Sequence, residues 1–187
     1  RWVRLTEGRC DLVVAPLHGR DNRDGQGQGS RLYAYERPRT ATAAWPTVLL
    51  DDTLHITHNF DPVDRDGDGT EELLYIGREG ALWIDWHESG RASQAVEGVR
   101  GGGEIRAGRL AGGMGFIATI EPMHGHELVL YTFPPSLAEE GRPSTVRRTL
   151  DDRLRGGHAL AAADLCGDAS DEIVAGWRDP DAEGGVG

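Results

Sequence analysis

Short hydrophobic runs, each followed by glycine, aspartate or serine, recur along the whole chain. No long stretch carries apolar residues at the three-to-four-residue spacing of an amphipathic helix. Short runs bounded by turn-forming residues are typical of β-strands. The pattern therefore predicts an all-β fold. In the clearest unit, the strands are predicted near 57–63, 71–78, 81–87 and 94–99.

Three further segments show the same succession of runs and turns. The first predicts strands at 10–17, 31–36 and 46–51 after a broken strand near Trp2–Leu5. The third predicts strands at 104–110, 116–122, 126–133 and 143–150. The fourth is expected to stop after its second strand, and the first to be truncated at its start. The expected units span about 1–52, 53–99, 100–152 and 153–187.

An internal repeat supports this division into units. Residues 50–78 align without a gap on residues 150–178. The identical pairs are Leu50/Leu150, Asp51/Asp151, Asp52/Asp152, Leu54/Leu154, His58/His158, Asp64/Asp164, Gly67/Gly167, Asp68/Asp168, Glu72/Glu172 and Arg78/Arg178. A weaker copy relates Ala15–Gly19 to Glu121–Gly125. Repeats of this length with four strands each are typical of β-propeller blades, so we expect about three and a half blades of a larger, seven-bladed propeller.

Acidic residues at every second position follow the first strand of the second unit. Asp64, Asp66 and Asp68 precede Gly69, and such a loop wraps oxygen ligands around a hard cation. The predicted ion is Ca²⁺, with Mg²⁺ as the alternative, and its role is structural. The predicted ligands are Asp64, Asp66, Asp68, Thr70 and Glu72. A weaker second site is predicted at Asp164, Asp168, Ser170 and Glu172, where Cys166 and Ala169 interrupt the pattern.

Composition narrows the possible partners. The chain has 31 acidic residues against 20 basic ones, all of them arginine, for a net charge of −11. An acidic chain without a basic stripe argues against nucleic-acid binding. No apolar run approaches the length of a membrane span. Cys10 and Cys166 are too few for a disulfide framework and leave the compartment open, with an extracellular or periplasmic location preferred to the cytoplasm.

The two acidic loops, Asp64–Glu72 and Asp164–Glu172, resemble those of FG-GAP/VCBS-type calcium β-propeller repeats. Within that group, the Pro-Leu-His-Gly and Pro-Met-His-Gly elements resemble the propeller domain of aldos-2-ulose dehydratase-like sugar lyases. The propeller of certain polysaccharide lyases is a second possibility. The resemblance implies a small sugar or saccharide substrate, together with further blades and other domains of a longer parent chain.

Histidine and arginine collect at one end of the predicted strands. In propeller strand order, the starts of first strands and the ends of second strands meet at the face opposite the acidic loops. The candidate catalytic residues there are His124 and His158 as bases, with His58, Arg78 and Arg178. The candidate substrate-binding residues are His18, Glu79, His126 and Trp177. Histidine suits proton transfer near neutral pH, and arginine suits binding of hydroxyl and carboxylate groups.

Two functions are compatible with this pattern. The first is a carbon–oxygen lyase or dehydratase, which removes a proton next to a keto-sugar carbonyl and then eliminates a leaving group. The second is a non-catalytic, Ca²⁺-stabilised binding or adhesion propeller, because propellers host both kinds of function. In the second case, His58 and His158 cap strands and Trp177 packs in the core.

Overall fold

Short strands rich in apolar residues, separated by turns that contain glycine and aspartate, produce a chain built from antiparallel sheets. The computed structural model describes residues 1–40, 42–87, 90–133 and 145–180. Within these ranges there are fourteen strands and no helix, so the predicted all-β fold is confirmed. None of the described residues forms a helix long and apolar enough to cross a membrane. The chain divides into two units, Arg1–Ala95 and Val96–Gly187.

Unit 1 contains two four-stranded sheets in consecutive order. The strands of the first sheet are β1 (Trp2–Thr6), β2 (Arg9–Val14), β3 (Leu32–Tyr35) and β4 (Thr47–Asp51). The strands of the second sheet are β5 (Thr57–Val63), β6 (Glu72–Gly77), β7 (Gly80–His87) and β8 (Gly90–Ala95). Every residue of β6 is buried, which explains why its hydrophobic run does not alternate with polar residues.

Unit 2 repeats this arrangement with one four-stranded and one two-stranded sheet. The strands of the larger sheet are β9 (Glu104–Arg109), β10 (Gly115–Glu121), β11 (Glu127–Thr132) and β12 (Val146–Asp151), again in consecutive order. The smaller sheet pairs β13 (Gly157–Ala163) with β14 (Glu172–Trp177). The predicted four-stranded antiparallel sheets are thus present, and the described part of the fourth copy has two strands.

Each unit has its own core between its sheets. In unit 1, Val3, Leu32 and Leu50 of the first sheet pack in one cluster with Leu73 and Tyr75 of the second. In unit 2 the cluster contains Phe116, Ala118, Ile120, Leu128, Leu154 and Leu160. Burial of apolar area at these contacts is the main stabilising contribution that sheets of this size can make.

One predicted strand is wrong in position. The sequence predicts a strand over 94–99, whereas β8 runs from Gly90 to Ala95. A turn follows directly, in which the Val99 N–H donates to the Val96 carbonyl and Gly98 adopts φ 78°. A residue with a left-handed backbone conformation cannot continue an extended strand. Gly98 therefore lies in the turn and not in the strand. Another predicted strand, 143–150, begins outside the described residues and is observed from Val146.

A reciprocal hydrogen-bond pair ties the two sheets of each unit together. In unit 1 the Arg4 N–H donates to the Glu71 carboxylate (2.6 Å), and the Glu71 N–H donates to the Arg4 carbonyl (2.8 Å). In unit 2 Arg109 and Asp171 make the same pair of bonds, both at 2.7 Å. The repeat found in the sequence is therefore also a repeat of contacts between the acidic loop of one sheet and an edge strand of the other.

The glycine at 108 gives a direct test of the unit 2 core. Gly108 pairs with Phe116 across β9 and β10, and a Cβ at this position would collide with the buried Phe116 ring. We expect Gly108→Ala to lower the free energy of unfolding by about 1–3 kcal/mol through overpacking. Gly115→Ala is the matched control, since the nearest atom to its Cβ is 3.9 Å away. Equal denaturation midpoints for the two variants would contradict this packing.

Candidate functional site

The acidic loop between β5 and β6 is shaped by its own carboxylates. The two oxygens of Asp64 accept the N–H groups of Gly67 (2.7 Å) and Gly69 (3.2 Å). Asp68 accepts both the N–H and the hydroxyl of Thr70 (2.7 and 2.6 Å). The two glycines adopt φ 79° and 88°, which other residues rarely tolerate. The loop therefore bends around the carboxylates.

This bend brings three of the five predicted ligands together. One carboxylate oxygen from each of Asp64, Asp66 and Asp68 lies within 4.8 Å of the other two. Glu72 instead accepts the Arg65 N–H (2.9 Å) and is buried. Three carboxylates at this spacing fit a hard cation such as Ca²⁺ or Mg²⁺, whose remaining ligands would be carbonyl oxygens or water.

Burial raises the pKa of the Glu72 carboxyl. The negative charges of Asp66 and Asp85 raise it further, while the hydrogen bond from Arg65 opposes the change. Ionised carboxylates crowded at one loop repel each other, and a bound cation would offset that repulsion. The electrostatics of the loop are thus consistent with cation binding.

The loop between β13 and β14 has the same backbone geometry with a weaker ligand set. Asp164 accepts the N–H groups of Gly167 (2.6 Å) and Ala169 (3.0 Å), and Asp168 accepts that of Ser170 (2.9 Å). Ala169 takes φ 67°, close to that of Gly69 in the first loop. The second loop therefore keeps the shape of the first although alanine replaces glycine.

Cys166 stands where the first loop has Asp66. A hydrogen bond to Glu172 raises the pKa of the Cys166 thiol, while the backbone N–H of Leu165 is the main group that lowers the pKa of Glu172. Glu172 is thereby engaged by the loop itself, as Glu72 is in the first copy. The second loop has two aspartates where the first has three, so we expect it to bind Ca²⁺ more weakly than the first loop.

Two predicted catalytic histidines of unit 2 lie side by side. His124 sits in the turn after β10, and His158 is the second residue of β13. Their Nδ1 atoms are 2.8 Å apart, their ring centroids 4.7 Å apart and their planes tilted by 34°. Both side chains are exposed. His124 adopts φ 52°, an uncommon backbone conformation for a residue other than glycine, asparagine or aspartate.

The distance between the two rings requires different hydrogen-bond roles for their Nδ1 atoms. At 2.8 Å, one Nδ1 must carry the hydrogen while the other accepts it, unless both lone pairs point to a shared cation. The pair can therefore pass a proton between its members, or act as two imidazole ligands for a metal such as Zn²⁺.

A buried polar network lies at the strand that leads into the His124 turn. Glu121 is 2 % exposed and accepts hydrogen bonds from Thr119 (2.8 Å), Tyr131 (2.5 Å) and Arg147 (2.9 Å). Arg147 also pairs with Glu127. A buried carboxylate needs such partners, and this network fixes the end of β10 just before the turn.

The network also shifts the ionisation of its members. Burial and the hydrogen bond to Glu121 raise the pKa of Tyr131 to about 12. Burial alone would lower the pKa of Arg147, but its hydrogen bonds to Glu121, Glu127 and Tyr131 raise it. Arg147 therefore stays charged and neutralises the buried Glu121. This network could not be predicted from the sequence, because its members lie on three strands and carry no local motif.

The predicted site residues of unit 1 make mostly structural contacts. The backbone of His18 forms an isolated antiparallel β-bridge with that of Ile56. The Nδ1 of His18 donates to the Gly19 carbonyl (3.2 Å). The guanidinium of Arg78 donates to the Asp24 carbonyl (2.7 Å). His58 is half-buried in β5.

Glu79 partners a histidine that was not among the candidates. Its carboxylate accepts the His55 N–H (3.0 Å) and lies 3.3 Å from the His55 Nδ1. Glu79 therefore positions His55. The sequence offered no sign of this, since His55 falls outside the repeated positions.

The other candidates of unit 2 take different positions. Arg178 is 70 % exposed and pairs with the adjacent Asp179 (2.9 Å). His126 is exposed, and its carbonyl accepts the Leu154 N–H (3.0 Å). Trp177 packs against the hydrophobic cluster of the unit. Of the predicted residues in this unit, His124 and His158 are the two that the structure places in direct ring contact.

Comparison with models of known protein families and with curated proteins finds no match for this chain. A function must therefore be inferred from the residues and their geometry.

Replacing Tyr131 by phenylalanine tests the buried network. We expect Tyr131→Phe to lower the free energy of unfolding by about 1–3 kcal/mol near neutral pH, because Glu121 loses a buried donor. Since folding raises the pKa of Tyr131 to about 12 from an ordinary value of 10, the folded wild type binds the proton more tightly. Wild-type stability should therefore fall as pH rises from 10 to 12, and the gap between wild type and variant should narrow. Urea titrations across this range measure both effects.

The half-buried Tyr35 provides the control for that measurement, as Tyr35→Phe should change stability little at pH 7. A Tyr131→Phe midpoint equal to that of the wild type at pH 7 would show that the Tyr131 hydroxyl contributes nothing to the fold.

Proposed function

We propose that the chain is part of a Ca²⁺-stabilised β-propeller that belongs to a carbohydrate-active lyase or dehydratase. The observation that carries the chemical part is the contact between His124 and His158, 2.8 Å between Nδ1 atoms. Repeated four-stranded antiparallel sheets of consecutive order support the propeller part. Further blades of a longer chain would complete the ring.

The cation at Asp64, Asp66 and Asp68 has a structural role in this proposal. The loop lies between β5 and β6, and Glu71 at its end is hydrogen-bonded to Arg4 of the first sheet. An ion that neutralises the loop would thus stabilise both a turn and a contact between sheets. The ion itself takes no part in the reaction.

The reaction that suits the histidine pair is removal of water from a keto-sugar. One imidazole takes the proton from the carbon next to the carbonyl, and the electron pair of that C–H bond forms an enolate. The enolate then re-forms the carbonyl and expels the hydroxyl on the neighbouring carbon. The second imidazole, protonated, delivers its proton to that hydroxyl, so water leaves and a carbon–carbon double bond remains.

Charge and hydrogen bonding at the turn support these roles. Arg178 of the same unit is exposed but paired with Asp179, so it can stabilise an enolate or hold a substrate hydroxyl by exchanging that partner. The buried Glu121 network holds the strand end before His124, which keeps the ring in place without touching the substrate. His58, Arg78 and His18 remain predicted contributors from unit 1, as His126 does from unit 2.

The alternative is a non-catalytic binding or adhesion propeller with the same cation. The contacts of unit 1 favour it, since Arg78 holds the Asp24 loop and Glu79 holds His55. In that case the histidine pair binds a ligand or a metal without turnover. Activity measurements on the wild-type chain distinguish the two functions.

Cation binding should be visible in thermal stability. With free Ca²⁺ at about 100 times its dissociation constant, we expect a gain of about 2.7 kcal/mol in the free energy of unfolding over the chelated protein. Asp66→Asn should remove most of that gain, because it deletes one of three converging carboxylates. Thermal melting with Ca²⁺ and with chelator measures the difference. Identical melting curves in the two conditions would refute a structural ion.

Repairing the second loop gives a complementary experiment. Cys166→Asp supplies the missing carboxylate in a loop whose backbone already matches the first, so calorimetric titration should detect one additional Ca²⁺ per chain. Cys10→Asp, at the other exposed cysteine, adds the same charge outside any loop and should leave the stoichiometry unchanged.

Loss of either paired histidine should abolish elimination. We expect His124→Ala and His158→Ala each to reduce kcat/KM by about 10²-fold or more, because each removes one partner in proton transfer. The rise in ultraviolet absorbance of the unsaturated ketone, formed from a keto-sugar, measures the rate. His55→Ala is the matched control, as this partly exposed histidine of unit 1 is not one of the candidate site residues.

Two outcomes would count against the enzyme proposal. Unchanged turnover in both variants would rule out the pair as base and acid. No turnover of keto-sugars by the wild-type chain, supplemented with Ca²⁺ and Zn²⁺, would favour the non-catalytic alternative.

A further inference from the structure

The connection between β2 and β3 in unit 1 forms a small concave pocket of about 260 Å³. None of the residues that line it is acidic, although the chain as a whole carries a net charge of −11. The polar and aromatic side chains that line it come from His18, Arg20, Gln28, Arg31 and Tyr33. A basic pocket on an acidic protein points to an anionic ligand.

Close backbone packing makes this pocket rigid. A Cβ at Gly19 would collide with the Gln28 carbonyl, and one at Gly29 would collide with the Asp52 carbonyl. The Gln28 N–H donates to the Arg20 carbonyl (3.3 Å). Two stretches of the connection thus lie backbone against backbone, and the pocket wall that they form exists before any ligand binds.

The two arginines of the pocket differ from several other arginines of the chain in having no carboxylate partner among the described residues. Arg9, Arg147 and Arg178 each pair with a carboxylate. Arg20 and Arg31 are exposed, and neither forms an ion pair with any residue in the described ranges. Their charge is therefore available to a ligand, and a guanidinium fork binds a carboxylate or phosphate through two parallel hydrogen bonds.

We propose that this pocket binds a small molecule that carries an oxyanion, held by Arg20 and Arg31. The oxyanion is either the carboxylate of a uronic acid or a phosphate group. Tyr33 is half-buried and lines the same pocket, so an aromatic ring is present to contact the apolar face of a sugar. This site does not depend on the elimination chemistry proposed for His124 and His158.

Calorimetric titration of the 187-residue chain with three probes tests the proposal. The probes are glucuronate, glucose and inorganic phosphate, all at low ionic strength. Glucuronate and glucose differ by a carboxylate in place of a hydroxymethyl group, so binding of glucuronate but not glucose shows that the charge is recognised. Binding of phosphate as well shows general oxyanion binding, and its absence shows that the sugar ring contributes.

Variants locate the binding to the pocket. We expect Arg20→Gln and Arg31→Gln each to weaken glucuronate or phosphate binding by about tenfold, with partial recovery in Arg31→Lys. Arg23→Gln is the matched control, because this exposed arginine lies in the same connection but does not line the pocket. Melting curves confirm that each variant is folded. The proposal is overturned if neither anion binds, or if all three glutamine variants bind them equally.

Discussion

Hydrogen bonds from backbone N–H groups to carboxylates set the loop shapes and the contacts between sheets around which each unit is arranged. Asp64 and Asp164 each bend a loop around their two oxygens, and Glu71 and Asp171 each join that loop to the neighbouring sheet. Hydrogen bonds with a charged acceptor are stronger than those between neutral groups. The acidic composition of the chain thus has a direct structural use, and it creates the like-charge repulsion that a cation can relieve.

The acidic loop and the paired histidines of unit 2 lie at opposite ends of one strand. In β13, His158 lies near the start and Asp164 directly follows the end, a distance of about 20 Å along an extended strand. A rigid loop at one end and an exposed imidazole pair at the other let the sheet hold both without mutual interference. The buried Glu121 network adds rigidity at the histidine end.

Much of the fold could be read from the sequence because the strands are short and several of them, such as β4, β5, β6, β12 and β13, end at or directly before a glycine or aspartate. The acidic triad could also be predicted, since its members are local and their spacing sets their geometry. Contacts between residues that are far apart in the sequence could not be predicted. Arg147 reaches Glu121 across 26 positions, and Glu79 reaches His55 across 24, with no periodic signal at either end. The strand predicted at 94–99 was misplaced because Gly98 has a conformation that only the backbone reveals.

Ala169 lies in a loop that keeps the shape of the first acidic loop with fewer carboxylates. It occupies the left-handed conformation that a glycine would adopt with less strain, and Asp164 still accepts its N–H. The loop thus retains its form without the full set of ligands. Loop shape and carboxylate number are thus set by different positions of the repeat, so a single substitution can add or remove a candidate cation ligand while the hydrogen bonds that shape the loop stay in place.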